Sequence, residues 1–88
     1  MRELRSYYLT PGTAASIDME SDAEILCVTH YDGPFLWFLS GSGPIIQRDF
    51  LFLTRGSVPP NAKYINSVPV EISGSGSPTP LHVFELMK

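Results

Sequence analysis

Cysteine is almost absent from this sequence: Cys27 stands alone among 88 residues, so no internal disulfide can form and a disulfide-stapled secreted scaffold is excluded. Charge is sparse too. Charged residues make up 17%, with six basic against nine acidic side chains, a formal balance of −3. The basic ones (Arg2, Arg5, Arg48, Arg55, Lys63, Lys88) are scattered, whereas binding a nucleic-acid backbone needs clustered cations. Long hydrophobic runs are missing. The longest, Pro34 to Leu39, has six residues, far below the ~20 that cross a bilayer as a helix. The N-terminus, Met1-Arg2-Glu3-Leu4-Arg5-Ser6-Tyr7-Tyr8, is charged and aromatic and lacks the apolar stretch of a secretory signal. Together with the single thiol, this leads us to expect a cytoplasmic protein without a membrane partner.

What is present points to a small, turn-rich β-protein. The hydrophobic fraction of 43% is that of a folded domain, and the length feeds only one core, so residues 1–88 are expected to form a single domain. Eight prolines and seven glycines leave little room for long helices. Five Phe, four Tyr and one Trp are available to dominate the core or line a surface. Six or seven short strands follow from the turn spacing, giving an all-β antiparallel sandwich or a partly open barrel.

Residues 3–9 read as a first strand that turns at Thr10-Pro11-Gly12-Thr13 and returns over residues 14–19, with Ile17 and Met19 on one face. Asp18, Glu20, Asp22 and Glu24 follow at a period of two, which places all four on one side of an extended chain, expected to face water. Residues 23–31 contain the apolar run Ile25-Leu26-Cys27-Val28 and read as a central strand. Asp32-Gly33 marks a hairpin to residues 35–40. Phe50 and Phe52 alternate with Leu51 and Leu53 in the next strand, expected mid-sheet with both faces buried. Residues 56–61 form a loop, with room for one helical turn before Lys63. Pro69 places the following strand at an edge or bulge. A Ser/Gly linker leads to the last strand, with His82, Phe84 and Leu86 on one side and Leu81, Val83, Glu85 and Met87 on the other. Strand edges in so small a sheet invite self-association, so a homo-oligomer is expected.

From Ala23 onward the chain resembles a family of small uncharacterised proteins encoded by bacteriophages and prophages. The series Ala23-Glu24-Ile25-Leu26-Cys27-Val28, Leu36-Trp37, Arg48 and Phe50, Gly56 with prolines behind it, Tyr64-Ile65 and His82-Val83-Phe84-Glu85 carries the likeness. The resemblance implies a phage context and a β-rich fold without an assigned activity. The family often has a histidine where Ser57 stands and a glycine where Asn66 stands.

No catalytic constellation is legible. His30, His82 and Cys27 lack the paired spacing of metal ligands, and the acid run lacks the glycine turn of a calcium loop, so no metal and no cofactor is expected. Cys27 sits in the most apolar stretch, where a packing role is the simpler reading. The Gly-Ser turns offer neither a lysine nor a helix start to a phosphate. One loop stands out: Arg55 and Ser57, with Lys63 and Tyr64 beyond it, could hold a small anionic, ring-bearing ligand such as a nucleotide-like signal, with Trp37 as a further stacking surface. The plainer reading is a strand end with exposed cations. Any pocket is expected between subunits, since the core is too small for a cavity of ~300 Å³. These residues suggest a non-enzymatic binding protein that sequesters a ligand or blocks a host protein, as anti-defence factors do. A virion or assembly component docking through strand edges is the alternative. A hydrolase using His82, Arg55 and an acid is a distant third.

Overall fold

The computed structural model describes residues 2–9, 14–30, 33–71 and 78–87. Seven strands follow in order: β1 (Leu4–Tyr8), β2 (Ala14–Glu20), β3 (Glu24–His30), β4 (Pro34–Leu39), β5 (Ile45–Leu53), β6 (Ala62–Glu71) and β7 (Pro78–Leu86). They form two antiparallel sheets, β1-β4-β3 and β2-β5-β7-β6, which do not close into a barrel. The fold is the expected all-β one, an open sandwich 16 Å across its thin axis. No helix among the described residues is long and apolar enough to cross a membrane.

The core lies between the sheets. Ile17 and Met19 of β2, Val28 of β3, Leu36 and Phe38 of β4, Phe50 and Phe52 of β5, Val68 of β6 and Val83 of β7 are all buried. Each is the inward member of an alternating strand. Leu9 closes one end, its amide donating to the carbonyl of Pro34 at 2.9 Å. β5 is interior to its sheet, as its apolar alternation predicts, although Leu51 and Leu53 on its outer side are only half-buried. β6 is an edge strand, where the missing donor of Pro69 is harmless. β3 and β4 form the expected hairpin; Tyr31 and Asp32 of its turn lie outside the described residues, as do the turn at residues 10–13 and the linker at 72–77.

Four expectations are corrected. β1 and β2 are not a hairpin: β1 pairs with β4 and β2 with β5, in opposite sheets. Burial accounts for β2, which covers Ile17 and Met19 against β5, whereas β1 extends the edge of β4 with its five residues still exposed. β3 is an edge strand, not a central one. Its apolar run straddles a bulge between Ile25 and Cys27, so Ile25 and Val28 both point inward while Leu26 is 41% exposed and Cys27 is half-buried on the outer face. Glu20 is buried rather than solvated. β2 ends there, and the chain turns toward the other sheet, carrying the carboxylate to the amide of Gly41 at 2.9 Å. Finally, residues 59–62 make a tight turn, with the Ala62 amide donating to Pro59 at 3.1 Å, in place of a helical turn.

β5 and β6 are both antiparallel to β7 and therefore parallel to each other. The segment 54–61 consequently travels back from the level of His82 to that of Leu86 on β7, and all its residues are exposed.

Candidate functional site

The two sheets meet along a seam where edge strand β3 faces edge strand β6, and no backbone ladder joins them. A side chain bridges the gap. Asn66 accepts from the Val28 amide at 2.7 Å through Oδ1 and donates to the Val28 carbonyl at 2.9 Å through Nδ2. One carboxamide thus reproduces both hydrogen bonds that a strand neighbour would supply. Val28 opposes Leu36 in the hairpin, and its backbone groups point away from β4 toward the seam.

Next to this clip the seam opens into a cleft of about 280 Å³. Residues 23–26 form one wall and Lys63, Tyr64 and Ile65 the other, with Arg48 and Glu85 at its base. Both walls are bulged. The extra residue is Leu26 in β3 and Ile65 in β6, and both line the cleft. A bulge bends its strand and re-aims its side chains, so paired bulges on facing edges hold the seam apart.

The base is an ion pair. Arg48 donates from Nε to Glu85 at 2.7 Å and from Nη2 to the second oxygen at 2.8 Å, a two-pronged contact, while Nη1 reaches the carbonyl of Ala23 at 2.7 Å. The two side chains retain only 12% and 10% exposure. Glu85 opposes Phe50 on β5 and Lys63 on β6, on the inward face of the sheet, which is why a carboxylate placed among Leu81 and Val83 needs a cation beside it. A smaller recess of about 160 Å³ lies against the same pair, lined by Ser21, Ile46, Gln47, Leu86 and Met87.

Of the five residues singled out from the sequence, only Lys63 and Tyr64 share a site. Lys63 is exposed at the cleft and has no ion-pair partner among the described residues. Tyr64 is 52% exposed, with its ring packed edge-on to Phe84 at 5.4 Å between centroids and tilted on His82 at 6.2 Å. Arg55 and Ser57 lie elsewhere, in the exposed segment beyond Leu53. Leu53 opposes His82 whereas Lys63 opposes Glu85, which separates the two groups by several positions along β7. Gly56, between them, has φ of 125° and open space around it, so the glycine serves the turn.

Trp37 is on the other sheet altogether. Register places Phe35, Trp37 and Leu39 of β4 on the outer face, with Leu4, Ser6 and Tyr8 of β1 opposite them and Cys27 and Thr29 of β3 on the far side. Tyr8 and Phe35 pack edge to face at 5.3 Å, and the Trp37 indole donates to the Thr29 hydroxyl at 2.7 Å. Among the described residues these aromatic and aliphatic side chains share one outer face, on which Leu4 and Tyr8 are exposed and Phe35, Trp37 and Leu39 are half-buried.

Arg48 and Glu85 belong to the resembling series and Asn66 is a departure from it, and none of the three reads as a site residue from the sequence. Glu85 did leave a signal, as the one charged residue on the Leu81-Val83-Glu85 side of its strand. Asn66 left none. Among the described residues no three of His, Cys, Asp and Glu converge on a common point. No family model matches the chain, and neither a curated protein nor a solved structure matches it.

Proposed function

We propose that this chain is a small non-catalytic binding protein of the phage type, acting as an oligomer in the cytoplasm of a bacterial host, where it sequesters a small ligand or blocks a host protein in the manner of an anti-defence factor. The observation that carries the proposal is the outer face of β1-β4-β3. Tyr8, Phe35 and Trp37 stand together there with Leu4 and Leu39, an aromatic group of the kind that anchors interfaces. The likeness of the series from Ala23 to Glu85 to phage-encoded proteins adds the context. Pull-down from a bacterial lysate, run beside thermal-shift measurements with nucleotides, tests the proposal. Wild-type protein is expected to retain a partner or ligand, and Trp37→Ala to weaken that capture by roughly 30-fold, the loss typical of a hot-spot aromatic. Capture that is absent, or indifferent to Trp37, rejects it.

One observation favours the alternative of a virion or assembly component. β1 is a free edge whose five residues are all exposed, an open template for another strand. Stoichiometric presence in purified particles, read by mass spectrometry, supports that alternative over the first.

A further inference from the structure

We propose that the seam cleft between β3 and β6 is a second binding site, specific for an extended peptide segment that carries one acidic side chain. It is distinct from the aromatic face, which lies on the opposite side of β3.

Geometry points to a peptide. The cleft is flanked by two strand edges, one in each sheet, and each edge has only one ladder neighbour. Outward-facing backbone groups of an edge strand accept the main chain of an added strand, the commonest way a sheet binds a peptide. Asn66 already supplies such a pairing at Val28 with its side chain, and the opening begins where that clip ends. At about 280 Å³ the space is just below the range for drug-sized molecules, and it suits a few residues of chain at ~3.3 Å each. Leu26 and Ile65, re-aimed by their bulges, give apolar walls for the alternate side chains.

Charge narrows the class. Arg48 is neutralised by Glu85, and Glu24 is paired with Arg2 at 3.2 Å, leaving Lys63 as the charge on the walls that has no ion-pair partner among the described residues. One such cation between two compensated pairs matches one carboxylate. A nucleotide is disfavoured, because several phosphate charges would meet Glu85 and Glu24 with a single lysine to offset them. The ring of Tyr64 is also committed to Phe84 and His82.

The test is NMR titration of the 88-residue protein with two synthetic probes, acetyl-Thr-Val-Glu-Val-Thr-amide and its twin with Lys at the centre. Strand pairing is tolerant of sequence, so a generic β-forming peptide is an adequate probe. At roughly 1 mM the Glu peptide is expected to move the amide signals of residues 23–26 and 63–65, and the Lys peptide to move them much less. Lys63→Glu should reverse the preference, lowering affinity for the Glu peptide about tenfold, and Lys63→Gln should abolish discrimination. Arg55→Ala, in the exposed segment away from the cleft, should leave the titration unchanged, which separates the contribution of Lys63 from that of exposed cations in general. No shift with the Glu peptide, equal shifts with both peptides, or shifts confined to β1 and β4 would each overturn the proposal.

Discussion

At the scale of single residues, the acid run after β2 shows how position decides the work of a charge. Asp22 accepts from the amides of Gly43 at 2.8 Å and Ser42 at 3.0 Å, and from the Ser42 hydroxyl at 3.4 Å. The Gly43 amide first, then that of Ser42, hold its carboxyl below the usual aspartate range, outweighing the opposing effect of desolvation. Glu20 secures Gly41 in the same loop. A Cβ on Gly41 would collide with the Asp22 carboxylate, so the glycine there reflects a close approach. Because the folded-state value is depressed, the contribution of Asp22 to stability is present above the unfolded value and lost as pH falls through the folded one. Asp22→Asn should lower stability near neutrality and flatten the acid side of its pH dependence, read by thermal unfolding between pH 2 and 7, a window chosen to span ordinary carboxylate titration. An unchanged acid limb would reject that role.

At the scale of elements, the seam between β3 and β6 rests on one carboxamide. Two strands that share no ladder still pack, and Asn66 satisfies backbone groups of Val28 that would otherwise face an incomplete partner. Asn66→Ala removes both hydrogen bonds and should destabilise the protein by about 2 kcal/mol, at roughly 1 kcal/mol for each bond. Hydrogen exchange is the sharper measurement. The Val28 amide should lose protection while the Leu36 amide across the hairpin keeps it. Equal exchange at Val28 in the variant and the parent would show that the sheets seal this edge without the clip.

For the whole molecule, a second tie between sheets is the guanidinium of Arg48, which is held by Glu85 within its own sheet and reaches the chain entering β3 at Ala23. Removing one member leaves a nearly buried charge without its partner, a loss of about 3–5 kcal/mol. Arg48→Met alone should therefore be strongly destabilising in urea, and Arg48→Met with Glu85→Leu should recover most of the loss. If the double variant is no better than the single one, the contact to Ala23 outweighs the ion pair. For a chain of this size such a loss is a large share of total stability, generally 5–15 kcal/mol. Both recesses lie against this pair, so the same variants bear on the shape of the cleft.

Strand positions and the all-β class were legible in the sequence because local rules set them: alternation at Phe50 and Phe52, the return of β4 onto β3, the demotion of β6 by Pro69. The candidate site was legible only in Lys63 and Tyr64. Which strands pair is a different matter. β1 abandoned its sequence neighbour for β4, the run at Ile25–Val28 hid a bulge, and Glu20 went inward, because pairing and burial are settled by contacts between residues far apart in the chain. Tertiary structure alone brought Arg48 to Glu85, 37 positions away, and Asn66 to Val28, 38 positions away. A sequence states what each side chain can do within a few residues of itself; the cleft exists only where two sheets meet, and no local pattern encodes a space between them.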